Sequence, residues 1–136
     1  MVTLIMGLKG SGKTKHMIEL VNAAVDNEPG AVVLIEKGQK LTYDIRHGAR
    51  LVNASDYDIL GYDMLRGLIA GLHAGNYDIS HIFIDSLYKV SGVENARETE
   101  TFCEWLDAFG QANNIGFTIT VSADQATASE KLRRYF

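Results

Sequence analysis

Eight residues, Gly7-Leu8-Lys9-Gly10-Ser11-Gly12-Lys13-Thr14, constrain this chain more than any others. They satisfy the pattern G-x-x-x-x-G-K-[ST] in full. They follow the apolar run Val2 to Met6 and precede a segment with helical spacing. Strand, glycine loop and helix form the context in which this pattern cradles phosphate. The reason is mechanical. Gly7, Gly10 and Gly12 reach backbone conformations closed to other residues, and the missing Cβ atoms let N–H groups converge on an anion. A helix that starts inside the loop aims its unpaired N–H groups and its dipole at the same point. In this pattern Lys13 reaches the β- and γ-phosphates as a point charge, and Thr14 ligates magnesium through its hydroxyl. Gly7, Gly10, Ser11, Gly12, Lys13 and Thr14 are therefore the expected nucleotide-binding residues. The alternative is a glycine turn that merely precedes a helix, and the flanking elements weigh against it. Lys9 reads as a solvated loop charge.

Apolar runs and helical patterns alternate through the rest of the chain. Val2 to Met6, Ala31 to Glu36, Arg50 to Ala54, Ile79 to Ile84 and Gly116 to Ser122 are the five expected strands. Ala31-Val32-Val33-Leu34-Ile35 is continuous rather than alternating, as in a parallel strand buried on both faces. Helices are expected from Lys13 to about Asp26, from Tyr57 to about His73 and from Ala96 to Ala112. Their stripes are Met17, Leu20, Val21 and Ala24; Leu65, Leu68, Ile69 and Leu72; and Phe102, Trp105, Leu106 and Phe109. The aromatics of the last stripe read as core. Lys37 to Arg50 reads as irregular or mobile, Ser86 to about Asn95 as a loop, and Gln125 to Phe136 as a helix or loose tail. The pattern predicts an α/β fold: a three-layer, open, mostly parallel five-stranded sheet with helices on both faces. Ligands of such sheets collect at the carboxyl ends of the strands, where the glycine loop lies.

Length and charge narrow the function classes. The 136 residues suit one domain, 1–136. A net charge of −4 with no long basic run argues against a nucleic-acid partner. The single cysteine, Cys103, excludes an internal disulfide and a cysteine-rich zinc site, and it reads as a packed thiol. His16, His47, His73 and His81 lack metal-ligand spacing. No apolar stretch is long enough to span a bilayer and no secretory leader is visible, so a cytoplasmic location is expected.

Strand four ends in His81-Ile82-Phe83-Ile84-Asp85-Ser86. A carboxylate there can hold magnesium, usually through ordered water, because that ion sheds its hydration shell reluctantly. Many strands end in Asp; one that does so 71 positions after Thr14, in a chain with a full phosphate loop, carries more weight. Thr14 and Asp85 are the expected magnesium ligands.

Ile82-Phe83-Ile84-Asp85-Ser86-Leu87 resembles the apolar-run-Asp-Ser element of RecA-like ATPases. These belong to the division of P-loop NTPases in which another strand lies between the phosphate-loop strand and the strand bearing the magnesium acid. The resemblance implies the P-loop NTPase fold, with ATP and Mg2+ as cofactors. It also implies a water-activating glutamate at or just past the second strand, and Glu36 stands there. A solvated strand-end acid is the competing reading of Glu36. The family further places a polar sensor residue after the strand on the other side of the phosphate loop. Ser122 matches loosely, with Asp124 and Gln125 behind it. After Gly116 to Ser122 the sequence offers neither the further strands nor the DNA-binding loops of recombinases. The nucleotide site is carried over and recombination is not.

The leading expectation is a Mg-dependent ATPase in which Lys13, Glu36 and Asp85 are catalytic. A nucleoside or small-molecule kinase is the first alternative, with Lys89 and Arg97 where a lid would sit. A non-hydrolysing nucleotide-dependent binding module is the second. No Asn/Thr-Lys-x-Asp motif supports guanine, so ATP is the default. Glu94 and Glu98 are weaker water-positioning acids. Arg46, Arg50, Arg133 and Arg134 are weaker candidates for a phosphate cation or a finger supplied in trans. Tyr43 and Tyr88 are weak candidates for base stacking. Beyond the nucleotide, a protein partner or a second copy of the chain stays open.

Overall fold

Five apolar runs become five strands: β1 (Val2–Gly7), β2 (Ala31–Glu36), β3 (Ala49–Asn53), β4 (Ile79–Ile84) and β5 (Gly116–Ser122). The computed structural model describes residues 1–136. Every pairing is parallel, and the strand order is β1-β5-β4-β2-β3. One strand, β5, therefore separates β1 from β4, as the RecA-like resemblance implies. It is the strand that carries Ser122, and Ser122 pairs in register with Gly7.

Parallel strands need crossovers, and helices on the two faces supply all but the one from β2 to β3, which crosses without a helix. They are α1 (Lys13–Asn27), α2 (Tyr62–Gly75), α3 (Leu87–Ser91), α4 (Ala96–Asn113) and α5 (Glu130–Arg133). Alternation along β2 divides the core. Val33 and Ile35 join the larger cluster, under Leu65 and Ile69 of α2 and Phe102 and Leu106 of α4. Val32 and Leu34 face the other way, against Met17 and Val21 of α1. Both faces of β2 are thus covered, which is why its sequence shows no polar alternation. Trp105 and Phe109 pack against the larger cluster, with their rings stacked at 4.7 Å between centroids.

Several segments differ from the sequence expectation, each for a local reason. The polar stretch after β2 has no regular secondary structure, as expected, but it is anchored. Leu41 and Ile45 are buried beside Met17, Val21 and Phe83, so two apolar residues strap the segment across α1 and the sheet. The expected helix from Tyr57 begins instead at Tyr62, after a short 3-10 turn (Ala54–Tyr57). Asp58 and Gly61 break the run with φ of 52° and 85°. The loop after β4 contains α3, because Leu87, Val90 and Ser91 reach the core. The C-terminal segment is not loose. Leu132 and Tyr135 are buried, and the Leu4 N–H of β1 donates to the Tyr135 carbonyl at 2.7 Å. No helix is long and apolar enough to cross a membrane.

Candidate functional site

The glycine loop joins β1 to α1 at the carboxyl edge of the sheet. Gly12 is the residue before α1, with φ of 87°, and Gly10 has the same φ. These left-handed values are open to glycine and strained for other residues. No side chain caps α1, and its first turn holds no acid. The leading N–H groups and the positive end of the helix dipole therefore face the loop uncompensated, which is the local signature of an anion seat. Lys13 folds back over the loop: its Nζ donates to the Leu8 carbonyl at 3.0 Å and lies 3.5 Å from Ser11 Oγ. Both partners belong to the loop, so the ammonium is held over the expected phosphate position by contacts that an anion can replace.

Asp85 follows the last residue of β4 and is 7% exposed. Its N–H donates to the Ile35 carbonyl at 3.0 Å, extending the β4–β2 ladder to the site. Thr14 Oγ1 donates to Asp85 Oδ2 at 3.2 Å. The other carboxylate oxygen, Oδ1, accepts a 2.7 Å hydrogen bond from Thr120 Oγ1 of β5. Thr120 in turn accepts from the Ser86 N–H at 2.7 Å. The carboxylate is thus fixed by a strand on one side and by the first turn of α1 on the other.

Glu36 ends β2, next to β4, and is 6% exposed. The Leu41 N–H donates to its Oε2 at 3.3 Å. Burial pushes the Glu36 carboxyl above its ordinary value; the Leu41 N–H pulls it back, and the Asp85 charge pushes it up again. Thr14, Glu36, Asp85 and Ser86 line one cavity of about 120 Å3, together with Lys37, Lys40, Leu41 and Lys89. A hydroxyl and a carboxylate facing each other beside the glycine loop form a hard oxygen donor set. Magnesium is usually held by one or two carboxylates and substrate phosphates, and Thr14 and Asp85 fit that requirement.

The structure brings Lys13, Thr14, Glu36 and Asp85 to one edge and leaves other candidates elsewhere. Ser122 is exposed beside Gly7, and it is Gln125 that closes against the loop, its Nε2 donating to the Met6 carbonyl at 2.7 Å. Gln125, His16, Ser11, Gly12 and Lys13 border a second cavity of about 370 Å3 on the β1 side. Glu94 and Glu98 line neither cavity. Arg46 is paired with Asp26. Arg50 lines the grooves beside α2 and neither of these cavities. Arg133 donates to the carbonyls of Ala128 and Gln125, and Arg134 lies over the Tyr135 ring. Tyr43 is 98% exposed, whereas Tyr88 packs against the core. Sequence reasoning missed Thr120, Lys37 and Lys40. The signal for Thr120 was present: a hydroxyl within the apolar run of β5 needs a buried partner.

No protein-family model matches the chain, and no curated protein matches it in sequence. Among solved structures, it is similar to the flagellar accessory protein FlaH from Methanocaldococcus jannaschii. The TM-score is 0.60 at 13% identity, covering 98% of this chain and 65% of that one. The likeness is one of fold. It extends over nearly all of this chain and concerns the parallel five-stranded sheet with helices on both faces.

Proposed function

We propose that the chain binds ATP with magnesium and hydrolyses it. One observation carries this reading. Glu36 and Asp85 come from adjacent strands, both are buried, and both open on the same cavity as Thr14, beside the glycine loop. In this reading the loop N–H groups and Lys13 grip the phosphates, and Thr14 and Asp85 hold the metal. The bound ion would neutralise charge on the phosphate oxygens. Glu36 orients a water and takes its proton as the new oxygen–phosphorus bond forms. The bond to the β-phosphate oxygen breaks, leaving ADP and phosphate. A carboxyl raised by burial suits proton acceptance better than an ordinary one.

The kinase alternative meets an obstacle of size. The cavity beside Asp85 is about 120 Å3, small for a nucleoside acceptor next to the magnesium acid. Organic ligands usually occupy about 300–1,000 Å3. The test is magnesium-dependent ATP binding and phosphate release by the chain, with Glu36→Gln alongside. Release by wild type and retained binding without release by the variant support hydrolysis. Normal release by Glu36→Gln overturns the role of Glu36. Binding with no release by wild type leaves a nucleotide-dependent binding module.

A further inference from the structure

The cavity that holds Asp85 and Glu36 is rimmed by lysines from separate parts of the fold. Lys37 directly follows Glu36, Lys40 directly precedes the Leu41 N–H that holds the Glu36 carboxylate, and Lys89 lies on α3, one turn past Ser86. They are three of the chain's seven lysines, gathered on one small cavity in a chain of net charge −4. None is spent on an ion pair: the two salt bridges of the structure are Arg46–Asp26 and Arg66–Asp63. Three lysines against two carboxylates leave one positive charge over at this cavity, and Lys13, on the second cavity at the loop, adds another; together they match the two negative charges of a magnesium–triphosphate complex.

No arginine lines either cavity at the loop. Arg46, Arg66, Arg133 and Arg134 are engaged elsewhere, as described for the first, third and fourth above and for Arg66 by its bond to Asp63 at 2.7 Å. The positive charge available at the outer end of a bound triphosphate is therefore lysine charge from the same chain. We propose that Lys37, Lys40 and Lys89 engage the terminal phosphate of the bound nucleotide in cis, so that the site distinguishes a triphosphate from a diphosphate. This rests on the reading of the glycine loop and Asp85 as a nucleotide–magnesium site. A diphosphate held by the loop leaves the lysine rim unused; a triphosphate reaches it. Lys37 and Lys40 are exposed on the strap, which Leu41, Ile45 and hydrogen bonds to Asn22 and Asn53 hold in place, and Lys89 is exposed on a five-residue helix, so their long side chains can turn inward without moving the backbone.

The experiment is calorimetric titration of the full chain with Mg-ATP, using a non-hydrolysable analogue where turnover interferes, and with Mg-ADP. Wild type is compared with Lys40→Ala/Lys89→Ala, the triple variant that adds Lys37→Ala, and Lys131→Ala as a surface control. An exposed charge contact changes affinity by a factor of about two to five, so the triple variant should lose about tenfold of the preference for ATP over ADP. Its ADP affinity should stay within about twofold of wild type, which also shows that the loop is folded. The wild-type preference should shrink with added salt, since exposed charges are screened. An unchanged ATP-to-ADP ratio in the triple variant, with ADP binding intact, overturns the lysine rim alone. Absence of nucleotide binding in wild type overturns the site itself, and the rim with it. Wild-type binding without turnover removes hydrolysis and leaves the ratio test decisive.

Discussion

Thr120 Oγ1 donates to Asp85 Oδ1 at 2.7 Å while accepting from the Ser86 N–H at the same distance. One fully buried hydroxyl of β5 thereby orients the carboxylate that ends β4 and satisfies the turn that leaves it. Ser86 adopts a left-handed φ of 61°, a conformation that a serine holds only when its surroundings fix it. The strand that separates β1 from β4 is thus more than a spacer, because it carries the group that aims Asp85 at Thr14.

Thr120→Val should expose how much the site depends on that hydroxyl. Valine keeps the shape, strands the Ser86 N–H and frees one carboxylate oxygen. Outer partners of this kind typically change metal affinity or activity by about 10- to 100-fold. A buried donor left without a partner costs about 1–3 kcal/mol. Magnesium titration of ATP binding and thermal unfolding measure the two effects separately. Thr120→Ser should restore most of both. A valine variant with wild-type magnesium dependence would show that Thr120 is only a packing residue.

Glu36→Gln should trade activity for stability. Loss of a general base costs about 10²- to 10⁴-fold in rate, so turnover should fall by that amount while ATP binding persists. Stability should move the other way. Burial raises the Glu36 carboxyl above its ordinary value. Between the ordinary value and the raised one, the folded chain binds more protons than the unfolded chain. Stability therefore falls as pH rises through that window, and the cost is complete above it. Glutamine never carries the charge, so without nucleotide or metal the variant should melt above wild type at pH 7. The gap should close as pH is lowered through the window. A variant that melts lower at pH 7 contradicts the burial argument.

Gly12→Ala tests the backbone of the loop without changing its charge. A Cβ there meets no atom within 4 Å, so the substitution introduces no clash. Its cost is conformational, since φ of 87° is strained for alanine by about 1–2 kcal/mol. Relaxing that strain re-aims the first N–H groups of α1. ATP affinity should drop more than tenfold, by about 1.4 kcal/mol or more, while the far-UV circular dichroism stays that of the folded chain. Lys13→Ala should weaken binding as well, but through charge. Only the Lys13 variant should flatten the salt dependence of ATP binding.

How far the sequence disclosed this arrangement depended on the range of the interaction. Local and periodic information was legible: the glycine loop, the five apolar runs, and the helix stripes around Val21, Ile69 and Leu106. The position of Asp85 was legible because an acid that ends an apolar run of a parallel sheet falls at the carboxyl edge, where the glycine loop also lies. What escaped was set by contacts between distant segments. Thr120 meets Asp85 across 35 positions. Leu41 and Ile45 anchor a stretch whose composition alone suggests mobility, because two buried side chains outweigh the polar residues around them. Ser122 and Gln125 illustrate the same limit at the edge of β5. The sequence indicated that a polar group follows this strand, but only the turn after it decides that Gln125, not Ser122, folds back onto Met6.

Cys103 should be chemically silent in the folded chain. It is fully buried on α4, and burial pushes its thiol up to about 12, so almost no thiolate exists at neutral pH. A disulfide reagent at pH 8 should label it only as fast as the chain opens globally. Labelling should become immediate in denaturant. Rapid native-state labelling would mean that α4 detaches readily from the sheet.

Leu41→Ala separates the strap from the site it serves. Leu41 is 5% exposed, packed with Met17, Val21 and Phe83, and its own N–H holds the Glu36 carboxylate. Truncating a buried leucine costs about 2–5 kcal/mol where the neighbours cannot collapse. At a surface strap the lower end is expected, and the chain should remain folded. The N–H survives the substitution, but the segment that positions it loses its anchor. Turnover should therefore fall about tenfold, the low end of what positioning a reacting group is worth, while the affinity for Mg-ADP stays as in wild type. Hydrogen exchange should quicken between residues 37 and 48 and not in β2 or β4. Unchanged turnover together with that faster exchange would show that Glu36 works without its strap, and that the Leu41 bond is structural only.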